Sequence, residues 1–154
     1  MSQGRARSAG PAAAGGGGDW EHFAHGADIG VRGRGQTVAE AFEQAAVALT
    51  AVVTDPSRVR VLVTVPVHCS APDLELLLYE WLNNLVFHMA TQHLLFSAYE
   101  VAIVDGELHA EARGERVDVE RHAPAVEVKG ATLTELLVRQ GPDGRWRAQC
   151  ILDV

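Results

Sequence analysis

The feature that most constrains this chain is a pair of apolar stripes at helical spacing, each opened by a helix-start signal and set between runs of β-branched residues. The first stripe is Val38, Phe42, Ala45, Leu49 and Val52, three or four positions apart. It follows Thr37-Val-Ala-Glu40, where the Thr hydroxyl and the Glu carboxylate can satisfy early helix N–H groups, and Asp55-Pro56 closes it. The second stripe is Leu74, Leu77, Leu78, Trp81, Leu85 and Met89, opened by Ser70-Ala-Pro-Asp73, with Glu75, Glu80 and Asn84 at polar positions between. Each helix needs a partner surface for its stripe, and the rest of the chain offers sheet.

Trp20 to Arg32 carries aromatic and β-branched residues between glycines and reads as one strand kinked at Gly26 and Gly30. Arg58 to Val67 alternates in its first half and reads as a second, with Pro66 near a sheet edge or the strand's end. Shorter β runs cover residues 95–104, 107–114, 125–129, 134–139 and 146–152, with turn signals at Asp105-Gly106 and Gly141-Pro-Asp-Gly144. The expected class is α+β: duplicated strand-helix-strand-strand units forming a mostly antiparallel sheet layer backed by two helices.

A chain of 154 residues, 47% hydrophobic, supports one domain, read as residues 19–154. Residues 1–18 are Gly, Ala, Ser and Arg with almost no large apolar side chain, and are expected to be a disordered tail. They lack the apolar segment of a secretory signal, and no run in the chain is long enough to span a membrane, so a cytoplasmic protein is expected. A net charge of −7 argues against a direct grip on DNA or RNA phosphates, leaving RNA reachable only indirectly, through another protein. Cys69 and Cys150 lie in apolar runs at no metal-ligand spacing and read as reduced, buried thiols.

Two aspartates stand out: Asp28, in His25-Gly-Ala-Asp-Ile-Gly30, and Asp153, in Cys150-Ile-Leu-Asp-Val154. Each adjoins an apolar run, where a lone carboxylate is costly unless it is hydrogen-bonded, paired or bound to a metal. Brought together by folding they would make a hard-cation site; the simpler reading is that each accepts backbone hydrogen bonds at a strand end. His22, His25 and Asp28 are spaced by three, which on a single strand places neighbours on opposite faces. Ser70, His68 and Asp73 are crowded in sequence without a nucleophile-elbow signal, so triad chemistry is not assigned. The glycines from Gly30 to Gly35 lack the Gly-Lys-Ser/Thr ending of a phosphate loop and read as a turn feeding the first helix.

Taken together, Trp20-Glu-His, His25-Gly-Ala-Asp-Ile-Gly30, Glu80-Trp-Leu-Asn83, Val126-Glu-Val-Lys129 with Ala131-Thr132, and the closing Trp146 to Asp153-Val154 resemble the archease family, in the family's order. Gly26 stands where the family pattern has Thr, and Leu133-Thr134 where it has an aromatic-His pair. The resemblance implies an accessory protein of the RtcB-type RNA ligase, promoting the ligase's guanylylation and turnover in tRNA splicing or RNA repair without being the catalyst. It further implies a divalent cation, Ca²⁺ first and Mg²⁺ second, held by Asp28 and Asp153 with the carbonyl or terminal carboxylate of Val154 as a further ligand. His25, Glu80 and Lys129 are candidates for supporting the site or touching the partner, each with a plain packing or solvated-surface reading beside it. Two other functions compete: a general protein-folding chaperone, which needs an exposed apolar patch, and a metal-dependent hydrolase, for which His25 is the base on offer.

Overall fold

The computed structural model describes residues 18–154, so all but Gly18 of the tail expected over residues 1–18 lies outside the described residues. Gly18 is buried, against the side chain of Gln44.

The chain opens with β1 (Asp19–His25) and β2 (Asp28–Gly35), an antiparallel hairpin whose register sets His25 against Asp28. This corrects the reading of residues 20–32 as one strand. Gly26 has φ of +59° and Ala27 does not share that sign, the pattern of a type II′ turn, whose twist suits a two-residue hairpin. The reversal cannot be seen in the apolar pattern, because both arms are rich in the same residue types.

Helix α1 (Val38–Val53) begins as its capping signal dictates: Thr37 Oγ1 accepts from Glu40 N at 3.1 Å, and Glu40 Oε1 accepts from Gln36 N at 2.7 Å. A 3-10 turn over Pro56–Arg58, capped by Asp55, then delays the next strand to β3 (Val63–Ser70), five residues later than expected from Arg58. Asp73 caps α2 (Leu74–Gln92) by accepting from Leu76 N at 2.8 Å, and His93 closes it in the left-handed region. After α2 come β4 (Leu94–Val104) and β5 (Glu107–Arg116), joined at Asp105-Gly106. A four-residue helix α3 (Val119–His122), β6 (Gly130–Ala131), β7 (Leu137–Gln140) and β8 (Trp146–Asp153) complete the order.

All strand pairings are antiparallel, and the class is α+β as expected. The strands divide into two sheets: β1-β2-β8-β6, with β7 also on β8, and β3-β5-β4. Residues 125–129 are not a strand. Ala125 N donates to Val53 O and Lys129 N to Asp153 O, both at 2.8 Å, so this stretch bridges the end of α1 to the end of β8. Residues 134–136 also stay outside the ladder, because Thr134 N turns back onto Thr132 Oγ1 and Glu135 takes φ of +54°.

The helices tie the two sheets together. Gly33 of β2 lets α1 lie against it, since a Cβ there would stand 2.2 Å from Ala45 N. Along its other side α1 seals the free edge of β4: Thr50 Oγ1 donates to Phe96 O at 2.8 Å, and Val101 N donates to Glu43 Oε2 at 2.8 Å. Burial pushes the Glu43 carboxyl above its usual range, against the bond from Val101 and with help from Glu40 and Glu100. Helix α2 buries Leu77, Leu78, Trp81, Leu82 and Leu85, and the Trp81 indole N–H donates to Phe42 O of α1 at 3.0 Å.

Candidate functional site

The β2–β8 register pairs Ile29 with Leu152, Val31 with Cys150 and Gly33 with Ala148. Leu152, Cys150, Ala148 and Val31 are fully buried toward the helices. Side chains alternate across a strand, so Asp28, Gly30, Arg32, Gln149, Ile151 and Asp153 occupy the opposite, outer face. Extending the same register by one residue sets Asp28 against Asp153 at the end of the sheet. Residues from the two ends of the domain are thereby opposed on neighbouring strands, about 5 Å apart at their Cα atoms as such pairs are.

The pole is open. Asp153 is exposed and Asp28 partly so. Among the described residues, neither carboxylate accepts a hydrogen bond or joins an ion pair. Hydrogen bonding at strand ends therefore does not account for them. Two unpartnered carboxylates on one face, open to water, have the oxygen-donor chemistry of a hard cation such as Ca²⁺ or Mg²⁺. The side chain of Val154 packs against the core, which anchors the backbone just beyond Asp153.

The hairpin also reassigns the histidines. His25 is the cross-strand partner of Asp28 and shares its face, whereas spacing on a single strand would have separated them. Its Nε2 lies 3.9 Å from Glu135 Oε2, within ion-pair reach when the ring is protonated. Glu135 carries no sequence signal; the left-handed turn at that residue brings it over the outer face, where its carbonyl accepts from Gln149 Nε2 at 3.2 Å. His22 lies on the inner face, with Nε2 2.8 Å from Ala48 O of α1.

Lys129 is exposed and its N–H bonds the Asp153 carbonyl, so its side chain leaves the backbone beside the pole. Asn83 is the residue that sequence reasoning passed over. Its Oδ1 accepts from Ala131 N at 2.9 Å, holding β6 against α2 where Gly130 pairs with Asp153. Its place beside Trp81 in Glu80-Trp-Leu-Asn83 was the available signal. Glu80 itself is exposed and lies near Cys69 of β3, where its charge adds to burial in raising that thiol to about 11. Cys150 is likewise raised to about 11 by burial, so both thiols stay protonated near neutral pH.

Behind the pole the outer face is locked by charge and by an aromatic ring. A Cβ on Gly30 would stand 2.2 Å from Phe23 Cζ, so the missing side chain is the seat of that ring, over which Arg32 also lies at 4.4 Å. Arg32 and Arg34 both pair with Glu21, and Arg34 reaches Asp19 at 3.2 Å. Burial works to raise the Glu21 carboxyl, but the two arginines outweigh it and leave it below its usual range.

Comparison with known proteins places the fold and the family. Residues 20–154 match the family model described as Archease protein family (MTH1598/TM1083). The chain is similar to "Protein archease" of Pyrococcus furiosus, with 40% identity over 139 residues covering 88% of this chain and 98% of that one. It is also similar to "Protein archease" of Sulfolobus acidocaldarius, with 36% identity over 137 residues and the same coverage, 88% and 98%. The solution structure of Methanobacterium thermoautotrophicum protein 1598 superposes with a TM-score of 0.76 at 36% identity, covering 88% of this chain and 98% of that one. With the family model, these full-length relatives and the fold all in agreement, the chain belongs to the archease family.

Proposed function

We propose that this protein is a non-catalytic activator of an RtcB-type RNA ligase, promoting the ligase's guanylylation and turnover in tRNA splicing or RNA repair. It docks on that partner through the Asp28/Asp153 pole, with a divalent cation, Ca²⁺ first and Mg²⁺ second, between the carboxylates. Support comes from the family, and one observation carries the reading: two opposed carboxylates without protein partners among the described residues, at the open end of a sheet where Glu21 behind them is paired with Arg32 and Arg34.

A partner can complete the cation's shell or meet the surrounding groups, His25 with Glu135 on one side and Lys129 on the other. Leu133, 62% exposed in the loop that follows β6, adds an apolar contact beside them. RNA is reached only through the ligase, in keeping with the net charge of −7. No helix among the described residues is long and apolar enough to cross a membrane, and action in the cytoplasm is part of the proposal. The alternative, a general folding chaperone, draws on the scattered exposed apolar side chains Val61, Leu62 and Phe87.

The test is a multiple-turnover guanylylation and ligation assay of the RtcB-type ligase from the same organism. Acceleration by wild type, lost with Asp28→Ala or Asp153→Ala in proteins that remain folded, is the expected result. No acceleration with either cation would overturn the proposal; suppression of client aggregation that is independent of Ca²⁺ would favour the chaperone.

A further inference from the structure

The second sheet carries a group of side chains that the function above does not use. In the β3–β5 ladder His68 is paired directly with His109, and Glu107 precedes His109 by two residues on the central strand. The residues between and opposite, Leu108, Ala110 and Val67, are buried. Alternation therefore sends all three polar side chains outward, with exposures of 58%, 66% and 54% for His68, His109 and Glu107.

The three converge. The two imidazole rings stack with centroids 4.3 Å apart and planes inclined by 18°. Each aims Nε2 at the same carboxylate oxygen, Glu107 Oε1, at 3.2 Å from His68 and 3.6 Å from His109. One ligand atom from each residue can be chosen so that all lie within 4.8 Å of one another. Ligands around a tetrahedral Zn²⁺ at bond lengths near 2.05 Å stand about 3.3 Å apart. That is close to the two histidine–carboxylate separations; the stacked rings must rotate out of parallel to turn both lone pairs onto one ion.

We propose that His68, Glu107 and His109 bind one divalent transition-metal ion, with Zn²⁺ as the test ion. Two imidazoles and one carboxylate suit borderline ions, whereas the all-oxygen pole of Asp28 and Asp153 suits hard ones. Ala102, opposite His109 on β4, is small and exposed, which leaves room for water to complete the coordination shell. The ligands sit on paired strands rather than on loops, so their backbone positions are fixed before metal arrives.

The experiment is titration of the tag-free protein with Zn²⁺ by calorimetry, and with Co²⁺ by visible absorption, which reports the coordination geometry. One equivalent is expected to bind, with affinity weakened at least about tenfold in His68→Ala and in His109→Ala. Glu107→Gln should weaken binding and change the Co²⁺ spectrum. The Asp28→Asn/Asp153→Asn double variant should bind Zn²⁺ as wild type does, separating this site from the pole. All three ligands are exposed, so the fold should survive, as circular dichroism would verify. Absence of binding at millimolar Zn²⁺, or affinity unchanged in both histidine variants, would overturn the proposal.

Discussion

Replacing Asp153 by Asn tests whether the opposed carboxylates serve function at the expense of the fold. The substitution keeps the shape and removes one charge. Like charges directly opposed on neighbouring strands destabilise by roughly 0.2–1 kcal/mol. Coulomb's law gives about 0.7 kcal/mol for carboxylates about 6 Å apart in a water-like dielectric, the appropriate limit because Asp153 is exposed. The two estimates agree, so without divalent cation Asp153→Asn should stabilise by about 0.5 kcal/mol. In a domain of this size that is a Tm increase of about 1–2 °C. Cation reverses the order. At tenfold excess over Kd, binding to the native state alone adds about 1.4 kcal/mol to wild type, a rise of about 3–6 °C that the variant should lack. Thermal scans in EDTA and in graded Ca²⁺ measure both. A variant several degrees less stable in EDTA would mean that Asp153 supports the fold, and a Ca²⁺ shift that survives the substitution would place the cation elsewhere.

Three further outcomes follow from the packing. Gly33→Ala would put a Cβ 2.2 Å from Ala45 N and 2.3 Å from Ala41 O, both backbone atoms, so α1 must back away from the sheet. The expected loss is about 3 kcal/mol in urea unfolding, and a loss under about 1 kcal/mol would show that the helix seat is soft. Asn83→Ala strips the acceptor from Ala131 N and should cost about 1–2 kcal/mol, with faster amide exchange at Ala131; Asn83→Asp, which keeps an acceptor, should restore the protection. Glu43 has a raised carboxyl in the folded state, so its contribution is most favourable below the unfolded carboxylate pKa of about 4.3 and is lost as pH rises through the higher folded value. Glu43→Gln, still able to accept from Val101 N, should therefore be more stable than wild type near neutral pH and lose that advantage in acid; a gain independent of pH would refute the assignment.

Both long helices were legible because their signals are local: the caps at Thr37 and Asp73 and the stripes behind them lie within a few residues. Pairing was not legible. Gly26-Ala27 lacks the Asn-Gly or Asp-Gly signature of a tight turn, so β1 and β2 read as one strand, and that error carried His25 to the wrong face relative to Asp28. The division into two sheets depends on β8 choosing β2 and β7, a choice made across most of the chain and absent from any window of sequence. Glu135 and Asn83 were missed for the same reason: each acts on a backbone or side chain remote in sequence. Asp28 and Asp153 attract notice in the sequence as charges beside apolar runs, but only the register sets them opposite one another.

The position of β8 has a consequence for how the molecule is made. The strand that sits between β2 and the β6/β7 pair is made after every other strand described. Its pairing with β2 joins Ile29 to Leu152, a loop closure that local structure cannot anticipate and that is costly in time. Until residues 146–153 are synthesised, β1 and β2 pair only with each other, with α1 packed on one face and the β8 edge of β2 open. The first sheet thus cannot assemble before β8 is made, and a chain stopped before Trp146 would present Asp28 without the strand that sets Asp153 opposite it.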